Sequence, residues 1–299
     1  MISILIPVYN YDCSALLKDL SRQAGSLKEE LKGEFDYEII LADDASMEIE
    51  LRQRNMAAAS SSGCIYFEQK KNTGQAYLRN AMVDMARFDY LLMIDADAEV
   101  CTDDFIRCYW NGRDKGDVIC GTLRNPEGAA PKGCELRYRY EKQAEKLRSA
   151  ALREKDPYNS FSAFNVMFRR DVFMNIRFDM RCTEYGHEDT LMGLMLREQA
   201  YTVVHTDNPL VHKGLDSNDS FLRKTETALR MLHRLGSPLQ EHTGASRVAA
   251  KLEKWHLKGA TKSLYILFRN LLRKNLLGAH PSILLFQLYK LGYYCTLKD

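Results

Sequence analysis

Tyr90-Leu91-Leu92-Met93-Ile94-Asp95-Ala96-Asp97 decides how this sequence folds. Five apolar or aromatic residues in succession, bounded by polar ones, read as a strand buried on both faces of a covered sheet. The apolar run stops at two aspartates separated by one alanine. In open α/β sheets, ligands collect at the carboxyl ends of the strands. Carboxylates held there, two apart, offer oxygens to a hard divalent cation, which in turn accepts phosphate oxygens. The same pair equally suits a polar turn, so the metal reading needs support from elsewhere in the chain.

That support comes from the residues before it. Ile2 to Val8 is a β-branched strand ending in Pro7-Val8-Tyr9-Asn10, a turn that puts Tyr9 at a sheet edge. Ser14 to Leu31 has Leu16, Leu17, Leu20, Ala24, Leu27 and Leu31 at helical spacing, with Ser14 as N-cap. Tyr37 to Ala42 is a second strand, stopping at Asp43-Asp44-Ala45-Ser46. Ile49 to Ala59 reads as helix and Gly63 to Phe67 as a third strand. Asn72-Thr73-Gly74-Gln75-Ala76 opens a helix running through Arg79, Asn80, Met82, Val83 and Met85. Strand and helix alternate three times, which predicts a parallel sheet with helices on both faces over residues 1–100.

Each strand end then carries something suited to a nucleotide. Tyr9 offers a flat face for a base, and Asp44 can accept from a base N–H. Gly74 permits close backbone approach at a helix amino terminus, where free N–H groups and the dipole favour phosphate. Arg79 supplies a fixed cation to the same anion. Singly, each has an ordinary structural reading in packing, capping or surface pairing. Together, at successive strand ends of one sheet, they converge on one ligand. Neither G-x-G-x-x-G nor G-x-x-x-x-G-K-[ST] occurs, which argues against dinucleotide and P-loop binding.

The chain has 299 residues, 45% hydrophobic and 27% charged, an ordinary balance for a globular protein. The net charge of +2 conceals an asymmetry. Residues 221–299 hold 14 Lys and Arg against 4 Asp and Glu, while the remainder holds 28 against 36. A basic tail on a mildly acidic body suggests that the tail meets an anionic surface. The eight cysteines form no C-x-x-C pair, so neither a zinc site nor a disulfide framework is indicated, and reduced thiols of a cytosolic protein are the simplest account. The amino terminus lacks a basic n-region and reads as a strand, not a signal peptide. No apolar run approaches the ~18 residues that a spanning helix needs.

Ile4-Leu5-Ile6-Pro7-Val8-Tyr9-Asn10, Ile39-Ile40-Leu41-Ala42-Asp43-Asp44-Ala45-Ser46, Asn72-Thr73-Gly74 with Ala76, Arg79 and Asn80, and Ile94-Asp95-Ala96-Asp97 together resemble a family-2 glycosyltransferase of the GT-A fold. The likeness covers about the first hundred residues in order and spacing. It implies a nucleotide-sugar donor (UDP favoured by family habit), Mn2+ or Mg2+ at the D-x-D, and inversion at the anomeric carbon. By position, Pro7, Tyr9, Asp44, Gly74, Arg79 and Asp95 would hold the nucleotide, with Asp97 as the main metal ligand and Asp95 beside it. Ala45 departs from the pattern, where glycine is frequent.

Beyond residue 100, Asp117 to Thr122 reads as a strand, 124–133 as a Pro/Gly-rich loop, Leu136 to Leu152 as a charged helix and Ser162 to Phe168 as an apolar strand. Tyr185-Gly186-His187-Glu188-Asp189-Thr190 precedes Leu191, Met192, Leu194, Met195 and Leu196 at helical spacing, so its acidic pair lies at a helix amino terminus. Capping is the plain reading. The family resemblance implies an acidic pair here that reaches the acceptor, one carboxylate taking the acceptor hydroxyl's proton. Asp189 is assigned as base, with Glu188 binding acceptor hydroxyls or orienting it. Tyr201 to His205 is a further strand, and 207–214 is read as a loop. The family resemblance implies a histidine on this segment as a further metal ligand; His212, beside a glycine, suits that role better than His205, although a lone histidine is more often structural.

Phe221 to Leu235, Ala249 to Leu277 and the segment after Pro281 are basic amphipathic helices, suited to an anionic membrane interface or to packing within the protein. No RNA-binding signature accompanies them, so nucleic acid is not an expected partner. The expectation is a GT-A type α/β fold: residues 1–100 the nucleotide-sugar half, 101–220 the acceptor half, 221–299 a helical tail. The expected activity is metal-dependent sugar transfer from a nucleotide-sugar to a saccharide or lipid-linked saccharide hydroxyl. The expected location is cytoplasmic, peripheral to the membrane. Two alternatives share the sheet: a nucleotidyltransferase that makes nucleotide-sugars, and a non-catalytic nucleotide-sugar-binding scaffold. The first would want a Gly-rich basic loop where Pro7-Val8-Tyr9-Asn10-Tyr11-Asp12 stands. Intact Asp95, Asp97 and Asp189 argue against the second.

Overall fold

The computed structural model describes residues 1–237 and 239–298. Pro238, read as part of the stop after the first tail helix, and Asp299 lie outside the described residues. Among the described residues eight strands form one sheet, in the order β3-β2-β1-β4-β7-β6-β8-β5 with the ranges that follow. The first four, β1 (Ile2–Val8), β2 (Tyr37–Asp43), β3 (Ile65–Glu68) and β4 (Tyr90–Ile94), are mutually parallel, as the strand–helix alternation requires. The rest are mixed. β7 (Asn165–Arg169) runs antiparallel to β4 and to β6 (Val118–Arg124). β8 (Val203–His212) is parallel to β6 and antiparallel to the short β5 (Ala98–Val100).

Period-2 alternation divides the strand side chains between two helical layers. Ile2, Ile4, Ile6, Val8, Ile39, Leu41, Leu92 and Ile94 share one cluster with the apolar stripe of α1 (Ser14–Glu30) and with Phe105, Ile106, Tyr109 and Trp110 of α4 (Phe105–Gly112). Their neighbours in sequence, Leu5, Ile40, Leu91 and Met93, are buried outside that cluster. On β1 and β2 also packs α3 (Gln75–Met85), which buries Leu78, Met82 and Val83. α2 (Ile49–Ser61) packs on α1 and β3.

Four sequence expectations need correcting. Ser14 is the first residue of α1 and not its cap; the N-cap position is Cys13, whose side chain makes no capping hydrogen bond. The charged helix over 136–152 is two helices, α5 (Glu135–Glu145) and α6 (Ala150–Arg153). The loop over 207–214 is mostly strand: β8 continues to His212 through Pro209, next to a register shift between Cys120 and Thr122, and an irregularity of that kind is where a strand admits proline. The tail helix over 249–277 breaks at His256, whose φ is 59°, into α11 (Gly244–Lys254) and α12 (Lys258–Leu276).

The chain divides into two compact units. The first comprises 1–126, 145–183 and 189–214 and contains the sheet. The second comprises 127–144, 184–188 and 215–299; its core is Leu136, Phe221, Leu222, Tyr265, Leu276, Phe286 and Tyr289. Those residues come from α5, α9 (Asn218–Leu235), α12 and α13 (Ile283–Thr296), with the short α10 (Leu239–His242) between α9 and α11. The helices not yet named are α7 (Arg170–Ile176) and α8 (Glu188–Glu198). Among the described residues no helix is long and apolar enough to cross a membrane.

Candidate active site

β4 delivers Asp95 and Asp97 because its apolar run is locked between β1 and β7 and then stops. The backbone turns at once: Ala98 N–H donates to the Asp95 carbonyl (3.1 Å), and β5 begins. β5 pairs with β8 so that Ala98 faces His212. That register brings the buried His212 against Asp97, with Nε2 3.0 Å from Oδ2, and the edge-on ring of Phe164 packs on the imidazole. Lys213 N–H donates to the Asp97 carbonyl (2.8 Å). Gly214 is what leaves room for the carboxylate: a Cβ there would lie 2.1 Å from Asp97 Oδ2 and 2.7 Å from its Cγ.

Asp95 has a different partner. Arg79, buried on α3 over the Phe178 ring, donates from Nη2 to Asp95 Oδ1 at 2.7 Å. Burial and the nearby Asp97 charge push the Asp95 carboxyl up, while Arg79 and His212 oppose them. The three expected metal donors are thus paired off as Asp97 with His212 and Asp95 with Arg79. Among the described residues no group of three or more His, Cys, Asp or Glu is arranged as a metal cage. A carboxylate beside an imidazole still matches the chemistry of Mn2+, and Mg2+ or Mn2+ sites at phosphates need just one or two protein donors, the rest coming from phosphate oxygens and water. Asp97 and His212 fit that description.

Around the neighbouring strand ends the loops hold one another. Asp44 accepts from the Thr73 N–H (2.8 Å), the Thr73 hydroxyl (2.7 Å) and the Gly74 N–H (2.9 Å), so its carboxylate fixes the entry to α3. Gly74 takes φ 83°, which favours glycine, and α3 starts at the next residue. Asp43 accepts from Ser46 N–H (2.6 Å), with Ala45 at φ 60°, a left-handed position that explains why glycine is frequent there. Asn10 (φ 50°) donates through its N–H to Ser46 Oγ and accepts from Met47 N–H, each at 2.8 Å. Pro7 lies buried in β1 opposite Ala42, while Tyr9 is 44% exposed and leaves a ring face available.

The acidic pair at 188–189 starts α8 as expected. Glu188 accepts from the Gly186 N–H (3.0 Å), a cap-like contact within its own unit. Asp189 reaches the sheet: the Ala163 N–H donates to its Oδ2 (3.0 Å). One residue on, the Phe164 carbonyl accepts from Asp95 N–H (3.1 Å). Ala163 and Phe164 thereby tie the Asp189 carboxylate to the same end of β4 that carries the D-x-D turn. His205 is excluded from this group; its Nδ1 lies 2.7 Å from Arg153 Nη1, its Nε2 3.0 Å from the Pro157 carbonyl, and burial pushes its pKa down. Sequence reading missed Gly214 and Phe164 as supports, since only the fold brings them to Asp97 and His212. A separate cavity of about 330 Å³, lined by Tyr90, Arg113, Asp117, Arg169 and their neighbours, lies at the opposite end of β4 and touches none of these groups.

A sequence model described as glycosyl transferase family 2 matches residues 3–177, more than half of the chain. The chain belongs to that family. A poly(ribitol-phosphate) beta-glucosyltransferase of Bacillus spizizenii is 30% identical over 130 residues, 42% of this chain and 20% of that protein. The match therefore takes in about a fifth of that relative's length. Among solved structures, glucosyl-3-phosphoglycerate synthase from Mycobacterium tuberculosis, in complex with Mn2+, UDP and glucosyl-3-phosphoglycerate, superposes with TM-score 0.54 at 14% identity, covering 80% of this chain and 81% of that one. A mannosyltransferase from Pyrobaculum calidifontis, in complex with GDP-Man and Mn2+, gives TM-score 0.53 at 12% identity, covering 99% and 84%. At such identities the likeness is one of fold: this chain has the GT-A fold of the family-2 enzymes.

Proposed function

We propose that this family-2 chain moves a sugar from a nucleotide-sugar to an acceptor hydroxyl by a single inverting displacement. The observation that carries the reading is the link from Asp189 through Ala163 and Phe164 to Asp95, which sets a carboxylate beside the D-x-D turn. A hydroxyl is a poor nucleophile until its proton leaves as the new C–O bond forms, and Asp189 is the group to take it. One displacement puts base and leaving group on opposite sides of the anomeric carbon, so configuration inverts. Glu188 is the neighbouring alternative for the base.

On the donor side, Arg79 holds Asp95 in place and adds positive charge near the diphosphate, and Tyr9 offers the base a ring face at the end of the strand in which Pro7 is buried. Asp44 sets the Thr73–Gly74 turn at the start of α3, where backbone N–H groups favour phosphate. Asp97 and His212 would hold Mn2+ or Mg2+, which supplies charge neutralisation to the departing nucleoside diphosphate. UDP is the favoured nucleotide. The acceptor class is a saccharide or lipid-linked saccharide hydroxyl in polysaccharide or glycoconjugate synthesis; the Bacillus relative, named for glucosyl transfer on poly(ribitol-phosphate), supports a polymer acceptor. The reading keeps the chain cytoplasmic and peripheral to the membrane.

A turnover screen of UDP-, GDP- and dTDP-sugars with Mn2+ or Mg2+ tests this, scored by release of nucleoside diphosphate. Release of diphosphate that needs a divalent ion and an acceptor supports the proposal. Nucleotide-sugar synthesis from sugar phosphate and nucleoside triphosphate would replace it with the nucleotidyltransferase reading.

A further inference from the structure

α12 is apolar on two sides, and only one of them is covered. Tyr265 and Leu276 are buried in the second unit's core, and Gly292 of α13 lets the Tyr265 ring approach so closely that a Cβ would lie 2.6 Å from it. On the far side Leu264, Leu267, Phe268 and Leu271 stand at i, i+3, i+4 and i+7, which aligns them in a second stripe. They are 58, 72, 47 and 66% exposed. A contiguous exposed apolar patch of this kind marks an interaction surface, so this second stripe lacks its cover within the unit.

Charge identifies the cover. Between Lys254 and Lys298 the sequence has eight Lys and Arg and not one Asp or Glu. Lys262, Arg269 and Lys274 of α12 stand without an ion pair among the described residues, whereas Arg273 pairs with Asp219 and Glu226, and Lys258 with Glu253. A second copy docked face to face would set this acid-free surface against itself, and like charges in an isologous contact repel. An anionic bilayer has the opposite charge and an apolar interior within reach of leucine and phenylalanine side chains.

We propose that α12 docks on an anionic lipid bilayer, lying in the interface with Leu264, Leu267, Phe268 and Leu271 inserted and Lys274, at the edge of that stripe, at the headgroups, while Lys262 and Arg269 on the other face of the helix add attraction over about a Debye length. The proposal deepens the peripheral location given above and does not depend on the transfer chemistry.

The test is co-sedimentation of the 299-residue chain with phosphatidylcholine vesicles, with and without phosphatidylglycerol. The chain should pellet only with the anionic vesicles, and less as salt rises. L267E/L271E should weaken that binding by more than about tenfold, since it removes two inserted side chains and adds two repelled charges. K262Q/R269Q/K274Q should weaken it several-fold and flatten the salt dependence. Leu267, Arg269, Leu271 and Lys274 are exposed and Lys262 is half-buried, none of them in the unit's core, so circular dichroism should show unchanged folding. Nucleoside diphosphate affinity should stay the same in both variants as in the unmodified chain, and absence of that affinity in the unmodified chain would count against the transfer reading and not against the docking. Failure of the unmodified chain to pellet, or equal pelleting of L267E/L271E, overturns the proposal. So does a dimer in light scattering that L267E/L271E turns into monomer, because the stripe would then belong to a second copy.

Discussion

Gly214→Ala adds one methyl group to the wall of the candidate metal site. Gly214 is not in the left-handed region, so alanine meets no backbone penalty there, and the effect comes from contact alone. The new Cβ would lie 2.1 Å from Asp97 Oδ2, against about 3.4 Å for an ordinary contact. The carboxylate, or the 212–214 backbone, must therefore give way by roughly 1 Å. That shift is enough to break the 3.0 Å contact between Asp97 and His212. Misplacing a catalytic group by 1 Å costs about 100-fold, roughly 2.7 kcal/mol of transition-state stabilisation. Crowding itself should cost about 1–3 kcal/mol of folding stability, a few degrees in Tm for a chain of this size. The assay is kcat/KM for the donor at saturating Mn2+, together with Mn2+-dependent binding of nucleoside diphosphate by calorimetry. We expect turnover to fall about 100-fold and the Mn2+-dependent part of the affinity to weaken, with the protein still folded. Turnover within about threefold of the unmodified chain would refute the reasoning, because Asp97 would then not need the position that Gly214 permits.

Three further outcomes follow from the same geometry. Asp189→Asn keeps the size of the side chain and removes the base, so kcat should fall by about 10²–10⁴ with nucleotide affinity within a few-fold; retained turnover in a single-turnover assay would move the base to Glu188 or elsewhere. His212→Ala should weaken the metal dependence measured by Mn2+ titration of turnover, and an unchanged titration would remove His212 from the metal site. Buried Glu38 accepts from the Ser3 hydroxyl (2.6 Å) and from the N–H (2.6 Å) and Nε (2.8 Å) of Arg87. Burial pushes its carboxyl up, but these donors more than offset it and hold the pKa below the usual glutamate value. A depressed carboxyl contributes stability above its unfolded pKa and loses it as pH falls through the folded value. Glu38→Gln should therefore cost about 1–2 kcal/mol in denaturant melts at pH 7 and progressively less below pH ~4; an equal cost at pH 3 and pH 7 would contradict the assignment.

The amino-terminal half of the sheet was legible because each strand is a continuous apolar run with a turn signal at its end. The run from Tyr90 to Ile94 and the glycine at Gly74 needed no tertiary information. His212 was harder. Asp207, Asn208 and Pro209 look like loop residues, and the strand survives them because it carries a register irregularity against β6. β5, three residues long and directly after the aspartates, has too little pattern to be seen alone, yet its pairing is what carries His212 to Asp97. Long-range supports were beyond the sequence altogether. Nothing local says that Ala163 will donate to Asp189, that Thr73 and Gly74 will use up much of Asp44, or that Gly214 stands against Asp97. The break at His256 escaped notice for the opposite reason: a histidine at positive φ carries no helix-stop signal.

The central claim is that a divalent ion at the carboxyl end of β4 meets the nucleoside diphosphate there. A crystal grown with UDP and Mn2+, with anomalous data collected at the manganese edge, tests it most directly. The account predicts a manganese peak within about 2.5 Å of the Asp97 carboxylate and of His212 Nε2, with diphosphate oxygens completing its shell. A peak elsewhere, or UDP bound at the other end of the sheet beside Tyr90 and Arg169, would contradict it.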